Sequence, residues 1–179
     1  MEEKRVLESF NAYKLEWLRD SMWFFIMAAV IIVLFRFIIG ISVIEGDSME
    51  PTLSNGNLVV YFRPAANYHV GDIVSVRVPS GKYYIKRIAA AGDSTVEIYG
   101  GKLHVDGEES DDPHAYGETV REAGAVVYPY EVRKGNYFLL GDNREASVDS
   151  RYFGEVGNIQ IKGRIILSVS EDGIRSYLD

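Results

Sequence analysis

The sequence has no cysteine among its 179 residues. Disulfide bonds, thiolate metal sites and a cysteine nucleophile are therefore excluded. Basic residues are also scarce, with 19 Lys and Arg against 26 Asp and Glu, which gives a formal net charge of −7. Because that sign is unfavourable for binding a polyanion, we expect no nucleic-acid partner. Any chemistry of this chain must come from oxygen and nitrogen groups.

One long apolar run is present, MWFFIMAAVIIVLFRFIIGI at residues 22–41, with Arg36 as its single charge. About 20 such residues match the hydrocarbon core of a bilayer. A buried core helix would show a polar stripe, whereas residues 24–35 are apolar on every face. A cleavable export signal is disfavoured by the extended run and by the lack of a clean small-x-small site after it. We predict a transmembrane helix at residues 21–41, with the lipid bilayer as a partner.

Basic residues indicate the direction of this helix. Four of them precede it: Lys4, Arg5, Lys14 and Arg19. After Arg36, which we place at the outer end, the next basic residue is Arg63. The positive-inside rule then predicts a cytoplasmic tail at residues 1–20 and an extracytoplasmic domain at residues 42–179.

The domain after the helix contains short alternating stretches of Val, Ile and Tyr, separated by turn residues. Seven stretches predict strands: 57–62, 72–78, 82–88, 95–100, 102–107, 136–141 and 159–170. Gly100 and Gly101 predict a hairpin turn, and the polar residues 110–124 predict a loop. The expected fold class is mainly β, with an inserted β-lobe at about residues 94–136.

The stretch GDSMEPTL at residues 46–53 is typical of a turn, but its Ser48 is also a candidate nucleophile. A serine hydroxyl needs an adjacent base to act as one. We interpret the histidines as surface residues, because no G-x-S-x-G elbow accompanies them. Their spacing also lacks the pattern of a zinc site, so no metal is expected. The three histidines are His69, His104 and His114.

Lys86 is the remaining candidate base, next to Arg87 in the stretch 82–88. Since adjacent residues on a strand face opposite sides, one of the two must point inward. Lysine in water has a pKa of about 10.4, and burial among apolar side chains lowers that pKa by several units. The alternative is that Lys86 reaches solvent along its stem and Arg87 forms a surface ion pair.

The stretch GDNREASVDSRYFG at residues 141–154 combines turn formers with closely spaced charges. Calcium ligation is disfavoured, because Arg144 and Ala146 stand where a calcium-binding loop has Asp or Asn. We interpret the stretch as a polar turn that supports a site.

With these three stretches the chain closely resembles the bacterial type I signal peptidases, a family of Ser-Lys dyad serine proteases. The resemblance runs from the apolar run through SMEPT at 48–52, GDIV at 71–74, YIKR at 84–87, Gly92-Asp93 and GDNREASVDSR at 141–151. It implies a β-rich catalytic core with an inserted lobe, and Ser48 as nucleophile with Lys86 as general base. It also implies that the substrates are exported preproteins bearing signal peptides, cut after an Ala-x-Ala type sequence. No cofactor is implied.

The resemblance further implies supporting roles around the dyad. Ser147 would help to orient the Lys86 ammonium. Two ion pairs would hold the loop in place: Asp142 with Arg144, and Asp149 with Arg151.

Two positions depart from the family pattern. Some members have an oxyanion-assisting serine where this chain has Gly46, so backbone N–H groups, notably that of Ser48, would bind the oxyanion. The stretch 88–91 is one residue shorter than usual, which predicts a local change of backbone path without loss of dyad geometry.

Four apolar residues flank the dyad in sequence and are candidates for the shallow pockets that small substrate side chains need. The alternative is that they are ordinary core residues. They are Ile44, Met49, Leu53 and Tyr84.

Two other functions are compatible with the sequence. One is another Ser-Lys peptidase of the same fold, such as a self-cleaving repressor, although the predicted membrane helix argues against a repressor. The other is a non-catalytic, membrane-tethered β-domain that binds partners. Labelling by a serine-reactive acylating inhibitor, lost in Ser48→Ala, would separate that domain from a peptidase.

Overall fold

The structure is a computed structural model that describes residues 2–64, 67–78, 80–122 and 126–178. The chain divides into two compact units, Met1–Ile39 and Gly40–Asp179.

The first unit is a single helix, α1 (Glu2–Val33), followed by a π-helical turn at Leu34–Ile38. Its apolar part, Glu16–Ile38, has 23 residues and a mean hydropathy of 2.4. No residue in the most apolar 18-residue window of this part is buried. At 1.5 Å per residue this part is about 35 Å long, enough to cross a bilayer. The helical conformation ends three residues before the predicted boundary at 41, because the β-branched residues of Ile39–Val43 form a strand.

The described residues also form twelve strands, one further short α-helix, α2 (Ser150–Phe153), and a 3-10 turn at Asn158–Gln160. In chain order the strands are β1 (Ile39–Val43), β2 (Leu58–Phe62), β3 (Ile73–Arg77), β4 (Tyr83–Ala91), β5 (Thr95–Tyr99), β6 (Lys102–Val105), β7 (Glu108–Glu109), β8 (Tyr130–Glu131), β9 (Asn136–Leu140), β10 (Val156–Gly157), β11 (Ile161–Ser170) and β12 (Gly173–Ser176). Every one of the seven stretches predicted as strands overlaps one of them, although β4 continues to Ala91, three residues beyond its predicted end. The mainly-β fold class is confirmed.

These strands form two sheets. The larger has the order β1-β2-β11-β3-β4-β9-β10, with β12 paired to β11. The smaller has the order β7-β6-β5-β8 and lies within the residues predicted as an inserted lobe. Its predicted hairpin is present, since Tyr99 pairs with Lys102 and the glycines between them, Gly100 and Gly101, adopt φ angles of 61° and 76°. A side chain would disfavour that conformation.

The predicted loop at 110–124 contains no strand in its described part, residues 110–122, and residues 123 and 124 lie outside the described residues. Tyr116 in this loop forms an isolated bridge with Asn143. The loop therefore contacts the segment that follows β9.

His104 corrects one prediction, because it is buried on β6 and not at the surface. Its ring stacks on Tyr99 with centroids 3.6 Å apart. Neighbouring residues on a strand normally alternate between buried and exposed, but Leu103 and His104 are both buried. His69 and His114 are exposed, as predicted.

Strand β4 positions the site because its two halves have different neighbours. Residues Tyr83–Arg87 pair with β3, whereas Arg87–Ala91 pair with β9. The register with β9 shifts between Ile88 and Ala90, a bulge inside the stretch where the sequence departs from the family pattern. Among the described residues, the first half of β4 therefore has no partner on its β9 side.

Candidate active site

Ser48 lies in the turn between β1 and β2, and both sides of that turn are held. Gly46, with a φ of +86°, donates its N–H to Asn55 Oδ1 at 3.0 Å. Asn143 donates its N–H to the carbonyl oxygen of Ser48 at 3.2 Å. These contacts fix the backbone around the hydroxyl and leave the hydroxyl itself free to meet a base.

Lys86 on β4 is that partner, because its Nζ donates to Ser48 Oγ at 2.5 Å. The lysine is only 2% exposed, although its backbone belongs to the regular pairing of β4 with β3. The Tyr84 ring lies near the amine, with its centroid 5.4 Å from Nζ. The structure therefore brings together the two residues predicted as nucleophile and base.

Burial lowers the pKa of Lys86 to about 8, from an ordinary value of 10.5. Desolvation is the largest cause, and Arg151 lowers the pKa further. The carboxylates of Asp149 and Asp142 act in the opposite direction. Their effect is smaller than that of burial, so the net shift of the Lys86 pKa is downward.

Arg87 is buried as deeply as its neighbour, but it is fully paired. Its Nε and Nη2 donate to the two carboxylate oxygens of Asp142 at 2.8 and 2.6 Å. Nη1 donates to the carbonyl of Gly71 at 2.8 Å. Arg87 thus does not form the surface ion pair considered as an alternative. The predicted pair of Asp142 with Arg144 is wrong, because Arg87 occupies both oxygens of this carboxylate.

Arg144 instead connects the 110–122 loop with the turn behind the nucleophile. Its Nε donates to the carbonyl of Gly141 at 2.9 Å and its Nη1 to Thr119 Oγ1 at 2.8 Å. Its Nη2 forms an ion pair with Asp112. Sequence reasoning missed Asp112 and Thr119, since neither lies in a recognisable motif.

The predicted pair of Asp149 with Arg151 is present and fully buried. Two guanidinium nitrogens of Arg151 donate to the carboxylate at 2.9 and 3.0 Å. Asp149 also accepts the N–H of Arg151, capping α2, and that of Gly141 at 3.1 Å. One carboxylate thereby ties the two ends of the 141–151 loop together.

Ser147 corrects a further prediction. Its hydroxyl is buried but has no hydrogen-bond partner among the described residues, so the expected contact with the Lys86 amine is not made. The Ser147 side chain lies against Gly141, where an added Cβ would be 2.3 Å from Ser147 Oγ and 2.4 Å from the carbonyl oxygen of Ser48. The absence of a side chain at Gly141 therefore lets this loop pack directly on Ser48.

A groove with a volume of about 530 Å³ opens beside the dyad. Ile44, Met49 and Tyr84 line it, as their assignment as pocket candidates requires. Leu53 does not line it, because this residue is fully buried in the core. Ser75 lines the groove as well and was missed, although a serine in an otherwise apolar strand pattern was the available signal.

A family model described as "Signal peptidase, peptidase S26" matches residues 15–170. The chain belongs to this family. It is 30% identical over 165 residues to signal peptidase IB of Staphylococcus aureus, covering 80% of this chain and 85% of that protein. It is 35% identical over 138 residues to signal peptidase I of Bacillus licheniformis, covering 70% and 74%.

A crystal structure of signal peptidase I from Enterococcus faecalis is also similar, at 27% identity and a TM-score of 0.47. The similarity covers 55% of this chain and 96% of that one. The resemblance predicted from the sequence motifs is confirmed by the family match, and with it the assignment as a peptidase that acts on signal peptides.

The site combines a serine hydroxyl, a desolvated amine and a groove with a free strand edge. No group of three or more His, Asp or Glu side chains able to hold a metal ion occurs in the described parts of the chain. The chemistry that these residues support is acyl transfer through a serine ester.

Proposed function

We propose that this protein is a membrane-bound serine endopeptidase that removes signal peptides from exported preproteins through a dyad of Ser48 and Lys86. The observation that carries the proposal is the 2.5 Å hydrogen bond between Lys86 Nζ and Ser48 Oγ, with the lysine almost inaccessible to water. A serine becomes nucleophilic when a base adjoins it, and burial makes this lysine a base near neutral pH.

The reaction begins with neutral Lys86, which accepts the proton of Ser48 as Oγ attacks the scissile carbonyl. The ammonium then protonates the leaving amine, which releases the mature protein. Lys86, neutral again, removes a proton from water as the water attacks the acyl-enzyme ester. The ammonium then returns this proton to Ser48 Oγ as the ester bond breaks and the signal peptide leaves as a carboxylate. Each transfer passes through one amine, so no further titrating group is needed.

The oxyanion needs a donor beside the nucleophile. The backbone N–H of Ser48 donates no hydrogen bond within the described residues, which leaves it available for this role. Gly46 offers no side-chain donor. The proposal therefore assigns the oxyanion to backbone N–H groups.

The substrate binds as an extended strand. The free edge of β4 at Tyr83–Lys86 can pair with a peptide backbone, as in other cases of strand addition. Side chains of such a peptide alternate, so those one and three positions before the cut face the same way. The bulk of Ile44, Met49 and Tyr84 leaves room there for small residues, which supports cleavage after Ala-x-Ala.

The apolar segment Glu16–Ile38 serves as the membrane anchor in this proposal. Basic residues before the segment place the N-terminus inside the cell and the catalytic unit on the outer face. Ser48 follows the end of the segment by only ten residues. A chain of that length spans at most about 35 Å, so it tethers the nucleophile near the bilayer from which preproteins emerge.

The test uses the full chain, purified in detergent, and a preprotein with Ala at one and three positions before its cleavage site. Cleavage at that site by the wild type, and none by Ser48→Ala, is the expected result. Ser54→Ala is the matched control, because this serine is exposed in the same turn. Undiminished cleavage by Ser48→Ala, or no labelling of Ser48 by an acylating inhibitor, would reject the proposal.

A further inference from the structure

The charge of the second unit is unevenly distributed along its larger sheet. Residues 1–39 contain as many basic as acidic residues, so the whole net charge of −7 belongs to residues 40–179. One end of the sheet nevertheless carries only basic residues. This basic end consists of residues 60–64, 76–78, 80–83 and 158–163. It contains no Asp or Glu, and its basic residues are Arg63, Arg77, Lys82 and Lys162.

Strand pairing brings these segments together. The first four residues of β11 pair with the end of β3 on one side and reach the end of β2 on the other. The start of β4 also pairs with the end of β3, Tyr83 with Arg77. Arg77 and Lys162 line one surface depression, and Ile159 lies in it between them and is 88% exposed.

The basic side chains at this end have no acidic partners. Among the described residues, no ion pair involves Arg77, Lys82 or Lys162. Arg77 and Lys82 are exposed, and the Lys162 amine donates to the carbonyl of Ile159 at 3.4 Å. Six other basic side chains of the described unit are each paired with a carboxylate. The basic end therefore presents positive charge that the protein does not compensate.

The opposite end of the sheet has the reverse charge. Strand β11 ends there, and the turn after it carries Glu171 and Asp172, both exposed. Strand β2 begins there, so the turn between β1 and β2 lies at the same end, with Glu45 and Asp47 exposed. The unit is thus polarised along β11, from basic to acidic.

The basic end is also where the chain enters this unit from the apolar segment. Strand β1 begins at Ile39, directly after the segment Glu16–Ile38. Gly40 lies against the end of β2, since an added Cβ would be 2.0 Å from the Tyr61 ring. Because consecutive Cα atoms are only about 3.8 Å apart, the basic end stays close to the point where the chain leaves the apolar segment.

We infer that the basic end binds the headgroups of anionic phospholipids in the membrane that the apolar segment spans. This inference rests on the proposed function through the membrane anchor alone, and not through the dyad. Each basic side chain near an anionic bilayer surface strengthens binding about fivefold. The exposed Ile159 adds an apolar group that can enter the interface beside the charges.

This contact has a consequence for the proposed peptidase. Lys82 belongs to the basic end and also lines the groove beside the dyad. Headgroups bound at the basic end therefore hold one end of the groove at the membrane surface, where a membrane-inserted signal peptide leaves the bilayer.

The experiment measures how closely the basic end approaches lipid headgroups. The chain has no cysteine, so Ser80→Cys, at an exposed position in the turn between β3 and β4, provides a single attachment site for a fluorophore. The labelled full chain is reconstituted into bilayers of phosphatidylcholine, either alone or with about one-third phosphatidylglycerol. Both bilayers contain a trace of lipid with a nitroxide quencher on its headgroup.

Quenching should be stronger in the bilayers that contain phosphatidylglycerol. About 1 M salt should abolish this increase, because it shortens the Debye length to roughly 3 Å. The salt series tests the electrostatic contact in the wild-type charge background, without removing any basic residue.

Two double variants then locate the contact. Arg77→Gln with Lys162→Gln should lose nearly all of the increase, because removing two bases weakens the binding about 25-fold. Lys134→Gln with Arg175→Gln removes the same charge from exposed residues elsewhere and should keep the increase. Arg175 pairs with Ser168 towards the acidic end, and Lys134 precedes β9, whose start pairs with the far end of β4.

An increase of equal size in both double variants, or quenching that depends on neither phosphatidylglycerol nor salt, would overturn this inference. The peptidase assignment would stand, because the measurement involves no cleavage. Release of the full chain from the bilayers by alkaline carbonate would instead reject the membrane anchor of the proposed function, and this inference with it.

Discussion

In the loop at residues 141–151 and the strand beside it, each buried charge has a partner of opposite sign: Arg151 with Asp149, and Arg87 with Asp142. At the dyad, Lys86 is buried to the same degree, but its only hydrogen-bond partner in the described structure is the neutral hydroxyl of Ser48. Lys86 and Arg87 are adjacent on β4, so their side chains leave opposite sides of the strand and meet different neighbours.

The difference lies in what faces each side chain across the fold. Arg87 meets a carboxylate that accepts two of its hydrogen bonds, and this pairing gives Arg87 a structural role. The amine of Lys86 meets a hydroxyl and an aromatic ring, so desolvation dominates and lowers its pKa to about 8. In the proposed mechanism the pairing of Asp149 with Arg151 favours the neutral amine, because Arg151 lowers the Lys86 pKa whereas the carboxylates raise it.

The largest expected effect comes from removing the unpaired amine. Lys86→Ala should reduce kcat by at least about 10⁴-fold, as loss of a base that activates a serine generally does. Lys86→Arg should be equally inactive, because a guanidinium remains protonated. Single-turnover cleavage of an Ala-x-Ala preprotein measures both variants, and activity of Lys86→Arg within tenfold of the wild type would contradict a lysine base.

Removing a paired charge should instead reduce stability. Arg87→Ala leaves the buried carboxylate of Asp142 unpaired and should lower the free energy of unfolding by about 3–5 kcal/mol. The double variant Arg87→Met with Asp142→Leu should lose much less, because no charge remains uncompensated. Urea unfolding of the full chain in detergent measures this difference. Equal losses of unfolding free energy in the single and double variants would show that the unpaired Asp142 carboxylate is not the cause of the destabilisation.

Lys86→Met should raise the free energy of unfolding, by somewhat less than Arg87→Ala lowers it. At pH 7 the amine is protonated in both states, and the folded state must hold the charge away from water. A shift from 10.5 to about 8 corresponds to roughly 3 kcal/mol, so the variant should be more stable than the wild type by about that amount.

The pH dependence of this gain provides its control. Between pH 8 and 10.5 the unfolded state binds more protons than the folded state, so wild-type stability should rise with pH over this window. The advantage of Lys86→Met should shrink over the same range. A constant difference between the two proteins would mean that the amine titrates alike in both states.

The smallest effect is expected for an ion pair at the surface. Lys102 and Glu109 form a salt bridge in the smaller sheet with both side chains more than half exposed. Lys102→Ala should change the free energy of unfolding by less than about 1 kcal/mol, because exposed pairs are strongly screened by solvent. A loss of stability approaching that of Arg87→Ala, in the same urea experiment, would mean that burial does not determine how much an ion pair contributes to the free energy of unfolding.

The strands that sequence patterns predicted are those with a clear alternation or a long apolar stretch, such as β3 and β11. The short strands β7, β8 and β10 have two residues each, too few to show a pattern. Strand β12 is exposed at every position, so no apolar face marks it. Strand β1 was hidden in the apolar run, where β-branched residues suit either a helix in the membrane or a strand.

The residues of the site also differ in how well the sequence predicted them. The hydrogen-bonded contact between Ser48 and Lys86 was anticipated because a serine nucleophile requires a base and the sequence offers few. The partner of Asp142 was missed because Arg87 is 55 residues away in sequence, whereas Arg144 is close and looked sufficient. Distances along the chain predict turns, but pairing across a sheet depends on register, which the motifs do not specify.

The pKa of the Lys86 amine itself is the most direct test. The Nζ or Cε resonance of this lysine, assigned by its absence in Lys86→Met, can be followed by NMR as the pH of the detergent-solubilised full chain is raised. The structure predicts a midpoint near pH 8, whereas ordinary lysines titrate near 10.5. A midpoint near 10.5 would leave almost no neutral amine at pH 8 and would contradict the role of Lys86 as the base.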